Sequence, residues 1–170
     1  MAWNADPTRM PFRMHSEYLR RLFLHNDLAE SRYEVDGRPI SLRDIRVPIF
    51  AVSTLADHVA PWRSVYKIQR LTEADVTFVL SSGGHNAGIV NPPGHLNGYH
   101  QIATHEGKEN YVDPDAWQQD AEHMEGSWWP CWQKWLVRHS SAEGPPPAMG
   151  APGKGYAPLA DAPGSYVLQR

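Results

Sequence analysis

Two residues of this chain have the types and spacing for acid–base chemistry. Asp57 lies a few residues beyond an apolar run, Val47-Pro48-Ile49-Phe50-Ala51-Val52, and His85 lies just beyond a second, Val76-Thr77-Phe78-Val79-Leu80. An imidazole takes up a proton near neutral pH without a large pKa shift. A carboxylate bonded to its second nitrogen fixes the tautomer and stabilises the imidazolium. Asp57 before His85, each after its own strand, also matches triads that run nucleophile, acid, histidine along the chain. Gly83 and Gly84 let the backbone turn sharply off the second strand and bring the ring inward. His58 competes for the role of base but comes one loop too early. On these residues alone, a turn aspartate and an exposed loop histidine remain the other reading.

Other chemistry-bearing residues carry less. Cys131, the single cysteine, sits in Trp-Trp-Pro-Cys-Trp with no glycine beside it, which predicts a packed, inert thiol. His95, His100 and His105 recur every five residues, a step that places them on no common helix or strand face. They read as exposed loop histidines rather than zinc ligands. Trp128, Trp132 and Trp135 fall at i, i+4 and i+7, one face of a helix, and read as core packing in preference to a lipid anchor.

The elements that must position Asp57 and His85 follow from hydropathy. A continuous apolar run predicts a strand buried on both faces of a parallel sheet. Strand, polar loop 53–61, helix 62–71 and strand 76–80 make one βαβ crossover, so the fold class is α/β with a partial parallel sheet and flanking helices. In such sheets catalytic groups gather beyond the carboxyl ends of the strands. Further helices are expected over 15–29, 113–123 and 127–138, with a short strand at 33–35. Residues 144–170 hold five Gly and six Pro and read as an extended tail.

Composition excludes several classes. The chain has 170 residues, 41% hydrophobic and 21% charged, enough for one domain core. A net charge of −3 and the absence of a dense Lys/Arg run argue against a nucleic-acid partner; Arg20-Arg21 and Arg43 with Arg46 read as solvated positions. No apolar run is long enough for a transmembrane helix. The amino terminus lacks a secretory layout, and one cysteine fits a reducing compartment, so cytoplasm is the expected location.

At these same residues the sequence resembles the polyhydroxyalkanoate synthases, in particular the single-subunit type. Asp57-His58-Val59-Ala60-Pro61-Trp62 is similar to that family's D-H-x-x-P-W acid loop. Ser82-Gly83-Gly84-His85-Asn86-Ala87-Gly88, followed by Asn91-Pro92-Pro93, resembles its G-H-x-A-G histidine loop. Gly126-Ser127-Trp128-Trp129-Pro130 with Trp132 resembles G-S-W-W-P-x-W. Trp3-Asn4-Ala5-Asp6 resembles W-N-x-D, and Ala162-Pro163-Gly164-Ser165-Tyr166-Val167 resembles the closing A-P-G-x-Y-V. The motifs keep the family's order from residue 3 to residue 167.

The resemblance implies the carboxy-terminal part of an α/β-hydrolase fold. Residues 1–32 would be the end of a cap or lid region, 33–143 the carboxy-terminal part of the catalytic domain, and 144–170 the tail. The region from Arg9 to Arg21 would serve a mobile cap or a dimer contact. It implies an acyltransferase that polymerises (R)-3-hydroxyacyl-CoA through a cysteine on a G-x-C-x-G elbow, with His85 as base and Asp57 orienting it. No metal or organic cofactor is implied. The expected setting is a homodimer on cytoplasmic polyester granules.

One departure matters. This sequence contains no G-x-C-x-G and no G-x-S-x-G, and Met1 stands two residues before the W-N-x-D match. The expectation is therefore a carboxy-terminal fragment that carries Asp and His only and is inactive in isolation. Two alternatives stand beside it: a fragment of a related α/β-hydrolase esterase or depolymerase, and a non-catalytic granule-associated partner of a full synthase. An upstream elbow bearing serine would favour the first; a stable 170-residue product without an upstream reading frame would favour the second.

Overall fold

Both apolar runs become strands, and they lie side by side. The computed structural model of the chain describes residues 9–94, 98–162, 164 and 165. The Trp3-Asn4-Ala5-Asp6 motif, His95, Pro163 and Tyr166-Val167 fall outside these. Two compact units divide the chain, Met1–Leu136 and Val137–Arg170.

In the first unit the described chain begins with α1 (Phe12–Glu17), a π-helical stretch (Tyr18–Leu24) and a small hairpin, β1 (Glu34–Val35) and β2 (Arg38–Pro39). Then come β3 (Ile49–Thr54), two short helices α2 (Trp62–Val65) and α3 (Ile68–Leu71), and β4 (Val76–Ser81). β5 (Tyr99–His105), α4 (Pro114–Asp120), β6 (Glu122–Glu125) and α5 (Trp129–Arg138) complete it, α5 running just past the boundary. The main sheet has the order β3-β4-β5-β6.

β3 and β4 pair in parallel, from Ile49 opposite Val76 to Thr54 opposite Ser81. The βαβ crossover of the sequence is therefore present, and the fold is α/β. The sheet is mixed rather than purely parallel, because β4–β5 and β5–β6 are antiparallel. Among the described residues no crossover helix lies between β4 and β5, and the chain returns alongside β4 in the opposite direction.

Burial corrects a further expectation. All six residues of β4 are buried, whereas Ile49 to Val52 of β3 are only half-buried. Among the described residues β3 has one neighbour, and an edge strand cannot be enclosed on both sides.

Local readings shift as well. The helix expected over 15–29 starts at Phe12 and widens into the π-helical stretch. His25 N–H bonds Arg20 O, and Asn26 adopts a left-handed φ of 52°, a conformation asparagine tolerates. The expected helix 62–71 is broken in two. The helix expected over 113–123 begins as foreseen, with Asp113 accepting N–H bonds from Asp115 and Ala116, but ends at Asp120. Ala121 turns extended at ψ 138°, and residues 122–125 pair with β5 instead. The histidines at 100 and 105 are not loop residues; both lie in β5, His100 at 1% exposure.

The core lies on both faces of the sheet. On one face Trp62, Tyr66, Phe78, Leu80, Trp117 and Ala121 form a buried cluster. Phe78 meets Tyr66 and Trp117 edge-on, each at 5.1 Å between ring centroids, an arrangement the ring quadrupoles favour. Burying a side chain such as Phe78 stabilises by roughly 1.5–3 kcal/mol. On the other, Phe50 of β3 packs on Trp128 and Trp135, at 6.3 and 5.6 Å. The tryptophan stripe thus packs in part: Trp128 is buried and Trp135 half-buried, while Trp132 is 40% exposed.

In the second unit a 3-10 turn, Pro152–Lys154, is closed by a bridge between Ala151 and Tyr156. Described residues from 144 to 162 are exposed apart from half-buried Ala151.

Candidate active site

The two loops leaving β3 and β4 stay tied beyond the strands. Leu55 N–H donates to Ser81 O and Ala56 N–H to Gly83 O, both at 2.9 Å, so the parallel ladder continues for two more bonds. Gly83 at φ 102° then turns the chain, a backbone region few other residues adopt.

Asp57 is held by its own turn. Its Oδ1 accepts the N–H groups of Val59 and Ala60, each at 2.9 Å. Across the gap between the loops, His85 Nδ1 lies 3.1 Å from Asp57 Oδ1 and 3.0 Å from Oδ2. The carboxylate is 8% exposed and the imidazole 45%. The two residues that the sequence singled out, 28 positions apart, are thus in direct contact.

Electrostatics follow from this geometry. The Ala60 N–H, the His85 ring and the Val59 N–H hold the Asp57 carboxyl at about 2, below the usual 3.8, against the opposing effect of desolvation. Asp57 is therefore ionised across the neutral range and accepts only. With Nδ1–H donating to it, the neutral ring carries its lone pair on Nε2, the arrangement a general base requires. His58 is exposed beside this pair, and the imidazole bonded to Asp57 is that of His85.

Cys131 stands elsewhere. Its Sγ lies 3.5 Å from His100 Nε2 and 3.8 Å from Met124 Sδ. His100 Nδ1 lies 3.1 Å from Gly126 O, to which it donates, leaving Nε2 to accept from the thiol. Burial pushes the Cys131 thiol up, and burial pushes His100 down, so both rest neutral. His100 Nδ1 is bonded to a backbone carbonyl and not to a carboxylate, so the imidazolium that would accompany a thiolate lacks the stabilisation Asp57 offers His85, and the pair reads as packing. Among the described residues no group of three or more His, Cys, Asp or Glu is placed to hold a metal ion.

Sequence reasoning missed three side chains that reach the His85 loop. Trp128 Nε1 donates to Gly88 O at 3.0 Å, Trp129 Nε1 to Ile89 O at 3.0 Å, and Ser127 Oγ to Asn91 O. The signal was present in the run Ser-Trp-Trp, since each of these side chains offers a hydrogen-bond donor beyond its apolar bulk.

No family model matches the chain. Over 168 residues it is 40% identical to the Poly(3-hydroxyalkanoate) polymerase subunit PhaC of Rhizobium meliloti, covering 99% of this chain and 26% of that protein. It is 38% identical over 169 residues to Poly(3-hydroxyalkanoate) polymerase 2 of Ectopseudomonas oleovorans, covering 99% and 29%. Against the subunit PhaC of Cupriavidus necator it is 34% identical over 166 residues, covering 97% and 27%. The chain thus spans a little over a quarter of the length of these curated relatives.

Proposed function

From the match of this chain, end to end, to the carboxy-terminal portion of the poly(3-hydroxyalkanoate) polymerases, we propose that it supplies two thirds of a Cys-Asp-His triad. His85 is the base and Asp57 the residue that orients it. The Asp57–His85 contact carries this reading: a buried, ionised carboxylate on Nδ1 of a half-exposed ring, delivered by adjacent loops at the carboxyl ends of parallel strands.

The nucleophile comes from a stretch of polypeptide bearing a G-x-C-x-G elbow. In this mechanism His85 Nε2 takes the proton from the cysteine thiol. The thiolate attacks the carbonyl carbon of a 3-hydroxyacyl-CoA, and collapse of the tetrahedral adduct forms the acyl-enzyme and breaks the bond to CoA sulfur. The imidazolium returns its proton to the departing CoA thiolate. The 3-hydroxyl of a further acyl unit, deprotonated by the same ring, then attacks the carbonyl carbon of the acyl-enzyme. Collapse forms the new ester bond, breaks the bond to the cysteine sulfur, and the imidazolium returns its proton to that thiolate. Asp57 stabilises the imidazolium in each half-reaction.

Placed in this frame, residues 33–143 are the carboxy-terminal part of an α/β-hydrolase domain. Residues 1–32 are the end of its cap or lid region, and residues 144–170 form a tail. The free edge of β3 is where the remaining sheet of that domain adds, since an exposed strand edge presents unpaired N–H and C=O groups. The complete enzyme works as a homodimer at the surface of cytoplasmic polyester granules, with acyl-CoA as substrate.

The test is enzymatic. The purified 170-residue chain releases no CoA from 3-hydroxybutyryl-CoA, whereas a polymerase in which this chain forms the carboxy-terminal portion does so. In that enzyme His85→Ala lowers the rate by roughly a thousandfold or more, as loss of a triad member does. Turnover by the chain alone, or a loss of less than about tenfold on His85→Ala, overturns the proposal.

A further inference from the structure

The loop that carries His85 has little structure of its own. Between Ser82 and Asn91 it forms turns only, with Gly88 and Asn91 its buried residues. Gly88 N–H bonds Gly84 O at 3.0 Å, and Val90 N–H bonds Asn86 O at 2.9 Å, so His85 sits inside one irregular turn. An exposed loop of this kind samples many positions unless something outside it fixes the backbone.

That something comes from the start of α5. Three consecutive side chains, Ser127, Trp128 and Trp129, donate hydrogen bonds to three carbonyls of the loop, those of Asn91, Gly88 and Ile89. Ser127 Oγ also accepts the Trp129 N–H at 3.1 Å, so one hydroxyl both begins the helix and holds the loop. Trp128 is in turn anchored, buried and stacked on Phe50 of β3. On its other side Gly88 lies hard against Thr54, the last residue of β3, and a Cβ there would also come within 2.9 Å of Ser82 O. The loop is pinned between the end of β3 and the first turn of α5, three residues beyond the imidazole.

We infer that Ser127, Trp128 and Trp129 are positioning residues, a clamp that keeps the His85 loop in register with Asp57. This rests on the reading of Asp57 and His85 as the acid–base pair. The clamp acts through backbone carbonyls, so it sets where the imidazole sits without taking part in proton transfer. Pre-ordering of this kind is what a base held on a loop requires, because a displacement of about 1 Å can cost about a hundredfold in rate.

Nuclear magnetic resonance of the full 170-residue chain tests it with two separate readouts. The first is the His85 Nδ1–H resonance, which the Asp57 hydrogen bond protects from exchange with solvent. The second is amide exchange at Gly88 and Val90. Trp128→Phe and Trp129→Phe keep an aromatic ring and remove the indole donor; Ser127→Ala removes the hydroxyl with little change in packing and carries the test if a tryptophan variant fails to fold. The clamp predicts exchange at Gly88 and Val90 faster by about tenfold, loss or broadening of the His85 Nδ1–H signal, and unchanged β4 amides. Exchange in the loop unchanged within about twofold in the folded variants overturns the clamp. Loop exchange that responds, in a wild-type chain whose His85 Nδ1–H is unprotected, instead overturns the acid–base pair and leaves the clamp standing.

Discussion

Gly88 and Thr54 touch so closely that no side chain fits between them. A Cβ built on Gly88 runs into Thr54 Cγ2 and lies 2.9 Å from both Thr54 Cβ and Ser82 O. The glycine at this point in the histidine loop is therefore set by space, since its backbone is not in the left-handed region that some other glycines of the chain occupy.

The expected consequence is measurable as stability. Gly88→Ala overpacks the junction and lowers the unfolding free energy by about 1–3 kcal/mol in urea titrations. Thr54→Ser in the same chain removes Cγ2 and recovers part of that loss, the contacts with Cβ of residue 54 and the Ser82 carbonyl remaining. An alanine variant within about 0.5 kcal/mol of the parent would remove the steric explanation.

Asp57 predicts a pH dependence with a definite sign. Its folded-state pKa, about 2, lies below the ordinary 3.8, because Ala60 N–H, His85 and Val59 N–H all favour the carboxylate. The folded chain thus holds a proton there less readily than the unfolded one. The resulting stabilisation is complete above pH 3.8 and is lost as pH falls through about 2. A carbon-detected titration of the Asp57 carboxyl should find its midpoint near 2, and Asp57→Asn should flatten this limb of the acid stability curve. A midpoint at the ordinary value would mean that the turn and the imidazole do not hold the carboxylate in solution.

Cys131 should be sluggish as a nucleophile. Burial raises its thiol pKa, and its neighbours are a neutral His100 ring and the Met124 sulfur. Alkylation by iodoacetamide at pH 8 is expected to run about tenfold or more slower in the folded chain than after unfolding in urea. Equal rates would reopen Cys131 as a reactive residue.

The residues of the site were legible early because their signals are local. An apolar run, a polar loop and a titratable residue at the loop are all read within about ten positions, and the βαβ rule then places both loops on one side of the sheet. That makes Asp57 and His85 candidates, and the family resemblance chose them over a turn aspartate and a loop histidine. Their contact at 3.0 Å does not, since it depends on the two bonds that extend the ladder into the loops, Leu55 to Ser81 and Ala56 to Gly83.

Where reading failed, longer-range pairing had overridden local preference. Residues 99–105 contain Tyr99, Ile102 and Thr104, types suited to a strand, yet their histidines suggested a loop. The partner that makes β5 a strand is β4, from Val76 opposite His105 to Ser81 opposite His100. Likewise Glu122 and His123 were expected to end a helix, and the open edge of β5 draws residues 122–125 into extended pairing instead.

By itself, then, the order of residues determined the chemistry on offer, the α/β class and the crossover that brings one carboxylate and one imidazole to the same end of the sheet. Tertiary structure decided the rest: the antiparallel return of β5, the burial of His100, and the attachment of Ser127, Trp128 and Trp129 to the loop of His85. The reason is physical. Periodicity and turn chemistry act over a few residues, whereas a hydrogen bond between an indole and a carbonyl 40 positions away exists only once both faces of the sheet are packed.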